Sequence, residues 1–117
     1  MQAMKHIGKI LGKTLPAMED IDAAAFLEDF AVSEDNDKPI TCGLFRLESG
    51  KALTYEYTYH EMKLIIDGEL EISDDSGQKV TATAGDLFYF PKGSVITFST
   101  PSFGVGFFCG QRGEGEA

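Results

Sequence analysis

Tryptophan is absent from this 117-residue chain, cysteine and histidine occur twice each, and basic side chains are few, ten against nineteen acidic ones. The resulting net charge of −9 repels a phosphate backbone, which argues against a nucleic-acid partner. No apolar run approaches the length that crosses a bilayer, and the N-terminus has no long hydrophobic region ending in a small-residue cleavage site. Neither a membrane partner nor export is expected, and the expected location is the cytoplasm. Cys42 and Cys109 are too few for a disulfide framework, and each lies in an apolar segment with strand character. There a reduced thiol acts as a small hydrophobe, a reactive or bridged pair being the alternative.

Thirteen glycines, nine phenylalanines and four tyrosines suit an all-β sandwich or barrel, and the length suits one domain. In the first 39 residues, Asp22 to Phe30 is the best helix candidate. Its alanines favour helix, Asp20 or Asp22 can cap it, and Phe26, Leu27 and Phe30 would share a face. Ser33 to Pro39 is a polar, turn-forming link. From Ile40 the apolar period changes to two. Strands are expected over Ile40 to Glu48, Leu53 to Tyr59, Met62 to Asp67, Glu69 to Ser73, Lys79 to Thr83, Asp86 to Phe90, Val95 to Thr100 and Phe103 to Cys109. Asp67-Gly68 is among the turns expected between them. The organisation is thus an arm and linker over 1–39, a barrel over 40–110 and a flexible tail over 111–117.

Two glycine-rich stretches carry no nucleotide chemistry. Gly8-Lys-Ile-Leu-Gly12-Lys13-Thr14 has three residues between its glycines where a phosphate-binding loop has four, and no strand precedes it. Gly104-Val-Gly106-Phe-Phe-Cys-Gly110 is one residue too long for a dinucleotide fingerprint, and close backbone packing explains it better.

Gly85-Asp-Leu-Phe-Tyr-Phe-Pro-Lys-Gly93 reads as turn, strand, turn, with Gly85 free to take φ > 0 and Pro91 ending the pairing. The spacing of Gly85, Pro91 and Gly93 resembles the second motif of the cupin superfamily, small double-stranded β-helix (jelly-roll) barrels. Glu61, seven residues before Gly68, matches the glutamate of the first motif. The three histidines that accompany these motifs in cupins are replaced here: the pair falls on Tyr55 and Tyr57, or on Thr54 and Glu56, and the third on Ile96. Within the superfamily, Tyr57 to Gly68 with Gly85 to Thr100 is most similar to the cupin domain of the EutQ ethanolamine-utilisation proteins. That resemblance implies a single cupin barrel, a homodimer, and a link to ethanolamine catabolism with acetate kinase activity.

Tyr55, Tyr57, Tyr59 and Glu61 alternate with Glu56, Thr58 and His60, so a regular strand points the first set to one side. The motif glutamate of a cupin faces inward, which makes the phenols its lumen companions. Lys63 shares that parity, to neutralise Glu61 or to lie outside after a bulge. The expected function is binding of a small polar molecule by Tyr55, Tyr57, Tyr59, Glu61 and Lys63, without cofactor or metal. The tyrosines as packed core aromatics are the alternative. His60 with Glu61 is the alternative metal pair, although adjacent strand residues face opposite ways. An enzyme of ethanolamine or acetate metabolism and a non-catalytic structural dimer stand beside the binding reading.

Overall fold

A computed structural model describes residues 3–117, and among them every regular element is a strand. The strands are β1 Ala25–Val32, β2 Thr41–Glu48, β3 Leu53–Glu56, β4 Glu61–Asp74, β5 Lys79–Thr83, β6 Leu87–Phe90, β7 Val95–Ser99 and β8 Phe103–Gly110. All pairings are antiparallel. One sheet runs β1-β2-β8-β4-β6 and the other β5-β4-β7-β3, so β4 belongs to both and forms the corner at which the barrel folds over.

The helix expected over Asp22–Phe30 is instead the edge strand β1. Ala25 pairs with Leu47 and Leu27 with Phe45, and Ala25 enters the core with Leu27 packed against it. A bulge between Asp29 and Ala31 inserts Phe30, which breaks the helical spacing of the phenylalanines. Alanine's helix preference, a fraction of a kcal/mol per residue, yields to a complete row of backbone hydrogen bonds. The arm then protects the outer edge of β1. Ala17 bridges Phe26, Leu27 N–H donates to Pro16 O (3.0 Å) and Met18 N–H to Ala25 O (2.9 Å).

The turn expected at Asp67-Gly68 is also corrected. β4 continues through it, with a bulge between Ile65 and Asp67 where the strand passes from one sheet to the other. Gly68 has φ +69, and a Cβ there would lie 2.2 Å from the carbonyl oxygen of Phe103. The glycine is required by a crossing of backbones, not by a hairpin. The strand expected to reach Tyr59 leaves its ladder at Glu56, and residues 57–60 cross to β4. Tyr57 stays anchored to the turn after β6 through Tyr57 N–H to Ser94 O (2.9 Å) and Gly93 N–H to Tyr57 O (2.7 Å). Gly85 and Gly93 both take positive φ, as their motif requires.

The core lies between the sheets, where Leu47, Ile65, Leu70, Ala82, Phe98 and Phe108 are almost entirely removed from water. The tail makes specific contacts with the barrel. Arg112 is buried and reaches Asp29 on β1 with Nη1 to Oδ2 at 3.0 Å and Nη2 to Oδ1 at 2.9 Å. Gly115 N–H donates to the same carboxylate (2.8 Å), and Thr41 Oγ1 donates to Arg112 O (2.7 Å). A tail read as polar and glycine-rich is therefore fastened by one cation.

Candidate functional site

The five residues singled out in the sequence converge on the barrel lumen. Tyr57, Tyr59, Glu61 and Lys63 are buried and Tyr55 half-buried, while the alternate residues Glu56, Thr58, His60 and Met62 are exposed. The inward parity survives the break between β3 and β4 because Tyr57 is held by the β6–β7 turn. Lys63 stays inside because the β4 bulge comes after it, not before.

Tyr57 Oη donates to Glu61 Oε2 at 2.6 Å, and Lys63 Nζ lies 3.3 Å from that same oxygen and 3.5 Å from Tyr57 Oη. The ammonium also stands over three rings, 4.4 Å from the centroid of Phe45, 4.6 Å from Phe98 and 5.8 Å from Phe90. β8 makes the room. Gly106 faces the Lys63 stem and Gly110 the Tyr59 ring, where an added Cβ would come within 3.0 Å of each. Tyr55 and Tyr59 share a hydroxyl contact of 3.1 Å, and the rings of Tyr55, Tyr57 and Tyr59 meet edge to face.

Burial lowers the pKa of Lys63, against which the charge and hydrogen bond of Glu61 work. Burial, with the charge and hydrogen bond of Glu61 added, holds the Tyr57 phenol well above its ordinary value. Burial and the bond to Tyr55 raise Tyr59 as well. Tyr57 and Tyr59 are therefore neutral donors at physiological pH, beside the Glu61–Lys63 ion pair. Such a group can hold a polar molecule by accepting at Glu61 and donating from Lys63 or Tyr57.

The residues do not fit a transition-metal centre. Glu61 is the one carboxylate in the cluster, its near partner is an ammonium, and the position of the third cupin histidine is the buried, apolar Ile96. The structure separates His60 from Glu61. His60 is exposed, its Nδ1 accepting from Lys92 N–H (3.1 Å) and lying 2.9 Å from Tyr89 Oη.

Free space among the lumen residues amounts to about 20 Å³, room for one water. Met18 of the arm and Ala117 at the end of the tail line it together with the five residues. Two chain segments thus stand at the boundary of the lumen, one of them fastened through Arg112. Sequence reasoning missed Arg112 and Asp29. The available signal was a lone arginine in an otherwise acidic, glycine-rich tail.

The chain is similar to known proteins. The family model described as ethanolamine utilisation protein EutQ matches residues 18–108. A curated relative named acetate kinase EutQ, from Clostridioides difficile (strain 630), is 36% identical over 80 residues, covering 67% of this chain and 48% of that protein. The chain therefore spans about half the length of that relative. The solved structure of the Clostridium difficile EutQ protein superposes with a TM-score of 0.65 at 29% identity, covering 77% of this chain and 64% of that one. A cupin superfamily protein from Desulfitobacterium hafniense gives 0.66 at 18% identity, covering 92% and 93%, a likeness of fold alone. This cupin barrel, matched over most of its length by that model, belongs to the EutQ family of ethanolamine-utilisation proteins.

Proposed function

We propose that this chain is a binding cupin whose lumen takes a small polar molecule, held through Tyr55, Tyr57, Tyr59, Glu61 and Lys63. The observation that carries the reading is the buried ion pair of Glu61 and Lys63 with its phenol donor. Apolar residues of similar volume would serve a merely packed interior as well or better, because desolvating two charges costs several kcal/mol per ion. A functional demand explains why the charges are kept. Because these residues leave room for one water, a ligand needs the lumen to widen, and the tail fastened by Arg112 to Asp29 is a boundary segment whose movement would widen it. Amines, amino alcohols and hydroxy acids fit the chemistry, since they donate to the carboxylate and lie against rings.

Phosphoryl transfer, the activity in the curated relative's name, has less support. A groove of about 470 Å³ runs beside Gly12, Lys13 and Thr14, but Glu48 and Asp67 line it too. Its cations are engaged, Lys13 over the Phe30 ring and Arg46 with Glu48 at 3.0 Å. A structural role with a packed lumen is favoured by one observation, the small free volume. A homodimer is part of the proposal, supported by the exposed Leu64, Leu87 and Tyr89 at the β4–β6 end of the sheet. So is a place in ethanolamine catabolism, for which the support is the family's description.

The test is a thermal-shift screen of small amines, amino alcohols and hydroxy acids against wild type and Glu61→Gln. The expected result is a ligand that raises the wild-type melting temperature and has a much smaller effect on a folded Glu61→Gln. No shift with any compound, and an unfolded Glu61→Gln, would make Glu61 a structural residue.

A further inference from the structure

Outside the lumen, Cys42 of β2 and Cys109 of β8 stand directly opposite each other on the outer face of the sheet, both half-exposed and reduced. The ladder settles which kind of pair they form. Ser49 N–H donates to Ser102 O (2.8 Å) on the same register line, and the register runs without a break from there to Thr41 and Gly110. Hydrogen-bonded and non-hydrogen-bonded pairs alternate in an antiparallel ladder, so the cysteines, an odd number of steps from Ser49 and Ser102, are a non-hydrogen-bonded pair. The neighbouring ladder agrees. Gln111 N–H donates to His60 O (2.8 Å), which makes Met62 and Cys109, two steps along, a hydrogen-bonded pair and turns the Cys109 amide toward β4.

In non-hydrogen-bonded pairs the Cα atoms lie about 4.5 Å apart and the side chains approach most closely. Disulfides span Cα separations of about 4.4–6.8 Å. We propose that Cys42 and Cys109 form a redox pair that a peroxide converts into a cross-strand disulfide within one chain. One thiolate attacks the O–O bond, becoming a sulfenic acid as the other oxygen departs and takes up a proton. The second thiolate attacks the sulfenic sulfur, the S–S bond forms, and hydroxide leaves as water. Two thiols lose two electrons and two protons, and hydrogen peroxide becomes two waters. Burial, with Cys42 adding to it, holds the Cys109 thiol above its ordinary value, so the reaction quickens toward alkaline pH.

A bond at the short end of the allowed span, on a half-exposed surface, is readily reduced by small thiols, and this makes the pair a reversible modification site. Its position gives it a consequence. Thr41 and Gly110 are the next pair along, and Thr41 Oγ1 holds Arg112 O, so the disulfide clamps the strand ends from which the tail departs. The bond itself does not depend on what the lumen holds.

The test treats the full chain with hydrogen peroxide, with free-thiol titration and peptide mass spectrometry as readouts. Expected are loss of both thiols, a linked Cys42–Cys109 peptide two mass units lighter than its reduced parts, unchanged mobility on a denaturing gel, and full reversal by dithiothreitol. Cys42→Ser and Cys109→Ser must each abolish the link. Unreacted thiols, a link between chains, or sulfinic acid on either cysteine in place of the link would overturn the proposal.

Discussion

Lys63 Nζ lies 3.3 Å from Glu61 Oε2, with both side chains only 4% exposed. The carboxylate that the cupin motif points inward is neutralised by a covalently attached cation two residues along the same strand. The rings of Phe45, Phe90 and Phe98 complete the ammonium's surroundings.

This arrangement fixes the order of stability among variants. Lys63→Met leaves a buried carboxylate without its cation and is expected to cost about 3–5 kcal/mol. The double variant Glu61→Gln, Lys63→Met removes both charges and keeps an acceptor for Tyr57, and should recover most of that loss. Urea unfolding of the two variants checks it, and additive losses would mean that the pair does not interact.

The tail contact shapes the acid side of the stability profile. Burial raises the Asp29 carboxyl, but the Arg112 hydrogen bonds, the Gly115 N–H and the Arg112 charge outweigh it and leave the pKa below its ordinary value. Such a carboxyl adds stability above its unfolded pKa of about 3.9, and that stability is lost as pH falls through the lower folded value. Arg112→Ala should therefore destabilise at neutral pH and lose less than wild type on acidification. Parallel acid-side profiles would remove Asp29 from the account.

How much of this was legible in the sequence varied with the range of the interactions involved. The barrel strands could be read because period-two alternation and turn residues are local signals. β1 could not, because its alanines favour helix in isolation and only the pairing of Ala25 with Leu47 selects the strand. Gly68 reads as a turn because a glycine required by a crossing strand looks the same in sequence as one required by a hairpin. The lumen residues followed from parity at Glu61. The aromatic surroundings of Lys63 are drawn from β2, β6 and β7, and the Arg112–Asp29 contact joins residues 83 apart in the chain, so neither leaves a local trace.

On the alkaline side, Tyr57 and Lys63 act in opposite directions. A phenol whose folded pKa is raised contributes stability that begins to fail as pH rises past its unfolded value of about 10. Lys63, with a lowered folded pKa, makes stability rise as pH approaches its ordinary value of 10.5. Tyr57→Phe should therefore shift the alkaline decline to higher pH, while Thr58→Ala, on the exposed side of the same segment, should not. Thermal unfolding between about pH 8 and 11 reads both.

The burial of Lys63 beside Glu61, and the part proposed for the tail in it, are tested most directly by reductive methylation of the folded protein, with mass spectrometry of each lysine peptide. Lys63 is expected to stay unmodified while exposed lysines such as Lys51 and Lys79 react, and to become modified when Asp29→Asn or Arg112→Ala releases the tail. A Lys63 that reacts in wild type as fast as Lys51 would contradict its burial, and one equally protected in folded wild type and tail variants would contradict the part proposed for the tail.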